Sequence, residues 1–125
     1  DGPAEASAFY AEYPEDLFRF AAEACTDPGD EVLQPSKNET QCISLPTPET
    51  AASLILQFNG DVQNLPRVVN ALRAQPLNDG TKVTATYYFL VPQKSGETLK
   101  VVFPIPQVDR TLRRVLALSG GQQII

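Results

Sequence analysis

Cys25 and Cys42 are the two cysteines of a 125-residue chain that contains no His, no Trp and no Met. Such a pair is a structural disulfide, a redox couple or two unrelated buried thiols. A redox couple wants Cys-x-x-Cys, and a zinc site wants four ligands, which two cysteines without histidine reach only by adding carboxylates. A structural disulfide fits the spacing and the even count, and it implies an oxidising, extracytoplasmic compartment: periplasm, cell envelope or the secreted space. Closing a loop of about 16 residues would stabilise a small domain by roughly 3 kcal/mol in the chain-entropy model.

The other reactive residues lack partners. Without His, the Ser-His-Asp and Cys-His arrangements are closed, so a hydrolase would have to use Ser-Lys, Thr or paired carboxylates. Neither Gly-x-Ser-x-Gly nor Ser-x-x-Lys occurs. The acid pairs Glu15-Asp16 and Asp30-Glu31 fall in expected first turns or loops, where solvation accounts for them. Gly29-Asp30 and Ser119-Gly120-Gly121 match no phosphate loop, and the diglycine follows a helix whereas phosphate sites precede one. Asp27, Asp30 and Glu31 lack the 1, 3, 5 spacing of a calcium loop. No catalytic residue, cofactor or metal ligand is assigned.

Charge narrows the partners. The net charge is −5, unevenly divided: residues 1–50 hold eleven acids against Arg19 and Lys37, residues 51–125 eight bases against Glu97 and three Asp. An acidic chain is poorly suited to nucleic acid or anionic membrane, since both rely on a positive surface. No apolar run approaches the roughly 18 to 20 residues that span a bilayer. The chain begins Asp1-Gly2-Pro3 and lacks Met, which reads as a trimmed or mature product that a signal peptide or a lipidated anchor could have preceded.

The elements that would position these residues follow from periodicity. Residues 1–12, small and polar at their start, read as a flexible N-terminal spacer before a single α+β domain over 13–125. Pro14 with Glu15 and Asp16 starts a helix whose apolar stripe is Leu17, Phe20, Ala21 and Ala24, widened by Phe18, Ala22 and Cys25. Residues 27–40 read as a surface loop. Thr47-Pro48-Glu49-Thr50 is an N-cap, and Asn59-Gly60 a C-cap, around a second helix. Residues 66–75 carry both a helical stripe and a hairpin arm ahead of Asn78-Asp79-Gly80; strand is preferred because two strands alone are marginal. Lys82–Val91 alternates strictly, and Leu99, Val101, Phe103 and Ile105 alternate after a turn, with Pro104 and Pro106 ending an edge strand. A last helix runs from about Gln107 to Ser119.

The expected fold is therefore a small antiparallel sheet of about three strands with helices mainly on one face and one disulfide. Thr84, Thr86, Tyr88, Leu90, Lys100 and Val102 would share the opposite sheet face, which either receives a partner or is covered by the first helix. Arg110, Arg113 and Arg114 make a basic stripe on the last helix, either an anion-binding surface or a solvated face. The pattern points to a non-catalytic extracytoplasmic interaction domain whose partner is another protein or a second copy. The alternatives are a small secreted inhibitor or effector presenting its acidic half to a basic target, and an unorthodox hydrolase without His.

Overall fold

A computed structural model describes residues 4–103 and 105–123. The elements run β1 (Ala4–Tyr10), α1 (Glu15–Glu23), β2 (Glu31–Ser36), β3 (Glu39–Ser44), α2 (Pro48–Gln57), β4 (Arg67–Leu77), β5 (Gly80–Pro92), β6 (Thr98–Val101), α3 (Pro106–Leu118) and β7 (Gln122–Gln123). Together they make an α+β fold with one antiparallel sheet, ordered β2-β3-β4-β5-β1-β7, with β6 paired to the far end of β5.

The strictly alternating stretch builds the centre of this sheet. β5 pairs with β4 from Arg67↔Leu90 to Leu77↔Gly80. The two residues between them, Asn78 and Asp79, make the turn, and Asn78 adopts a positive φ of 54° that Asn tolerates. Gly80 opens β5 where a Cβ would lie 2.4 Å from the Tyr10 carbonyl oxygen, so no larger residue fits. The ambiguous 66–75 segment is thus a strand. It is long enough to carry β3 and β2 on its outer edge.

Two segments depart from expectation. Ala4–Tyr10, expected within a spacer over 1–12, is instead a strand held between β5 and β7; residues 1–3 lie outside the described residues. Its composition has a packing reason. Ala6 and Ala8 face inward, and their small side chains let α3 settle on β1 with Leu116 fully buried. The surface loop expected over 27–40 contains β2, the turn at Lys37-Asn38 and the start of β3. All six β2 residues are exposed, so no burial alternation marks the strand. Its register slips between Leu33 and Ser36, around Pro35, as suits an edge. These additions raise the sheet from about three strands to seven among the described residues, the last only two residues long.

All three described helices lie on one face. α1 contributes Leu17, Phe18 and Ala21, and α3 Leu112 and Leu116, to a cluster over β1, β4 and β5; α2 contributes Leu54 to a second cluster with Val68, Phe89, Val91 and Val101. Phe20, expected in the stripe of α1, is 62% exposed. β6 ends at Val101, short of the expected strand end, because Phe103 and Ile105 turn inward to pack against the second cluster. Pro104 lies outside the described residues.

α2 carries the caps its sequence announces. Thr47 Oγ1 accepts from the Thr50 N–H at 3.3 Å, Pro48 occupies the first turn, and Asn59 follows the helix at a φ of 56°. Thr47→Ala is expected to lower stability by about 1 kcal/mol through the orphaned donor. A urea midpoint unchanged by the substitution would refute that role.

Candidate functional site

β5 and its neighbours put the expected surface residues on one face. Sheet register aligns side chains of paired residues on the same side, so the helix-facing set is Val68–Phe89, Leu72–Ala85 and Ala74–Val83. The alternate residues face away. There, Tyr88 aligns with Val69, and Val69 with Ile43; Leu90 sits between Arg67 and Lys100; Thr86 aligns with Ala71 and Glu5, and Thr84 with Arg73 and Ser7. Ser7 and Thr84 share a hydrogen bond of 3.1 Å across this face. No described helix packs here, so the first helix does not cover it.

The centre of this open face is an aromatic with a cation on it. Lys100 Nζ lies 4.3 Å above the centroid of the Tyr88 ring, a contact worth about 0.5–1 kcal/mol where solvent reaches it. Burial pushes the Tyr88 phenol above its ordinary range, and the negative charge of Glu39 adds to the effect. The phenol therefore stays a neutral donor at physiological pH. Val69, its register partner on β4, is 1% exposed.

The remaining candidates lie elsewhere. Val102 follows the end of β6 and is exposed. Arg110, Arg113 and Arg114 are exposed on α3, across the sheet from Tyr88, and Arg113 pairs with Asp109 at 3.0 Å. The structure thus divides the candidate residues between two surfaces.

Cys25 and Cys42 form a disulfide, with 5.7 Å between their Cα atoms. It joins the end of α1 to β3. Asp30 Oδ2 lies 3.9 Å from Cys42 Sγ and accepts from the Asp27 N–H at 3.0 Å. Asp61 is the described acid whose carboxyl is held below the usual carboxylate range, by donation from the Gln63 N–H and the Asn64 amide. That geometry closes an exposed turn.

One feature of the helix-covered face escaped sequence reasoning. Asn70, an inward position of interior strand β4, is exposed, in register with Cys42 and Tyr87. It lies between the two buried clusters, over a hollow of about 330 Å³ walled by Leu17, Ala21, Leu112 and Val115. The available signal was an amide interrupting the apolar series Val68, Leu72 and Ala74.

No family model, curated protein or solved structure matches this chain. No described helix is long and apolar enough to cross a membrane.

Proposed function

We propose that this chain is a non-catalytic, extracytoplasmic protein-interaction domain that engages its partner through the open face of the sheet. One observation carries the reading: the half-buried side chains of Tyr88, Leu90 and Ile43 stand around fully buried Val69 on a face that no described helix packs against. Around it stand Arg67, Lys100, Arg73 and Glu39. An apolar centre within a charged rim is the anatomy of a protein interface, and tyrosine is a frequent anchor there. The disulfide supports an oxidising compartment, where such bonds persist.

The test places a photo-crosslinking amino acid at Thr86 and, separately, at Arg114 in the native cell. Adducts are expected from position 86 and not from 114. The pair Tyr88→Ser and Leu90→Ser should weaken association with the captured partner by roughly tenfold or more, since anchor truncations cost over about 1 kcal/mol each. Binding that survives both substitutions, or that vanishes at high salt as a contact through the acidic half would, overturns the proposal. So does recovery of the chain with both thiols reduced in the cytosol.

A further inference from the structure

The interior of this domain is divided by a groove. One half of the core gathers Ala8, Leu72, Val83 and Leu116, the other Leu54, Val68, Phe89 and Val101. Between them three hollows, of about 330, 740 and 240 Å³, each have Asn70 in their lining. They are stations of one path, running from Asp27 and Asp30 ahead of β2, past Asn70 and Tyr87, to Glu49 at the start of α2. A completed core would close such a gap, because protein interiors pack to the density of organic crystals.

The lining chemistry selects an occupant. At the Asp27–Asp30 end the walls are apolar, with Leu17, Phe20 and Ala21 from α1 facing Leu112 and Val115 from α3. Phe20 and Val115 are exposed there, 62% and 37%, although both lie on the groove side of their helices. Among the described residues, the charged ones lining the three hollows are Asp27, Asp30 and Glu49, with no Lys or Arg. Burial raises the Tyr87 phenol, which keeps it uncharged on the floor. An anion would meet carboxylates without a compensating cation, whereas an ammonium group would gain their attraction, from exposed Asp27 and half-buried Asp30 at one end and exposed Glu49 at the other.

We propose that this groove binds a small organic cation with an apolar body, an alkyl- or arylalkylammonium. Its ammonium faces Asp27 and Asp30, and its hydrocarbon lies between α1 and α3. The hollow at that end falls within the range of small-molecule pockets, about 300–1,000 Å³. The site is on the opposite side of the sheet from the Tyr88 face and stands independently of the function proposed for that face.

The test titrates the whole chain with octylammonium, octanoate and octan-1-ol below their aggregation limits, by calorimetry and heteronuclear NMR. Octylammonium is expected to bind once and saturably, with octanoate at least about tenfold weaker, a difference of about 1.4 kcal/mol. Its shifts should centre on the Asn70 side-chain amide and Leu112. Asp27→Asn with Asp30→Asn should abolish the preference for the cation, and Asn70→Trp, which fills the groove from an exposed floor position, should abolish binding. Equal affinity for octylammonium and octanoate overturns the proposal, as do shifts centred on Tyr88 and Leu90. A lysine-bearing peptide that binds where octylammonium does not overturns it too, in favour of a protein occupant.

Discussion

Leu116→Ala is expected to lower the unfolding free energy by about 3 kcal/mol, within the range for a buried leucine whose cavity cannot collapse. Leu116 is 0% exposed and packs in the cluster containing Ala6, Ala8 and Tyr10. The alanines are too short to fill the space left behind. Tyr10 cannot swing in without losing its bonds, because its phenol donates to the Leu116 carbonyl at 3.0 Å and lies 2.6 Å from the Ser119 hydroxyl. Gly121 tightens the same corner, where a Cβ would stand 2.7 Å from that of Ala8. Urea unfolding measures the loss. A change below about 1 kcal/mol, the scale of an ordinary surface substitution, would mean that α3 is not seated on β1. Hydrogen exchange gives a second check: the amides of Ala6 and Ala8 should be protected in the wild type, which a flexible N-terminal segment would not show.

Removing the cross-link is the other large effect. Cys25→Ser with Cys42→Ser should cost about 3 kcal/mol, mostly by restoring entropy to the unfolded chain, for a sequence separation of 17. That is a large share of the roughly 5–15 kcal/mol that a domain holds in reserve. The other ties of this part are non-covalent, Leu17 and Phe18 in the core and the β3–β4 ladder, and they do not join the end of α1 to β3 directly. The Arg19–Asp16 pair on α1 is exposed on both sides, and exposed pairs contribute little. The end of α1 and the strands β2 and β3 should loosen together, and with them the acidic end of the groove. Chemical reduction of the wild type should shift its urea midpoint as far as the double substitution does, and reduction should not move the double variant. A wild-type midpoint indifferent to reductant would refute the argument.

How much was legible depends on where the determining contacts lie. α2 was readable because its signals are local: a hydroxyl cap at Thr47, Pro48 in the first turn and Asn59 after the end. The β4–β5 hairpin was readable from alternation and from Asn78-Asp79-Gly80, and it brought Thr84, Thr86, Tyr88 and Leu90 to one face with Lys100. β1 was not readable. Ala and Glu carry low strand propensity, and Ala4–Tyr10 is extended because β5 supplies its backbone partners some 70 to 80 residues along the chain, a context that overrides local preference. β2 escaped for the opposite reason: an edge strand exposed on both faces has no apolar rhythm to display.

By itself, then, the chain's order of residues determined the cysteine pair, the capped second helix, the central hairpin and the side of it on which Tyr88 stands. Only the tertiary structure decided that β1 belongs in the sheet, that the first helix joins the other two on the face opposite Tyr88, and that their spacing leaves Asn70 open to solvent between two halves of a core. The division is physical. Capping bonds and strand alternation act within about ten residues of the chain, whereas burial is set by which distant segments come to rest on one another.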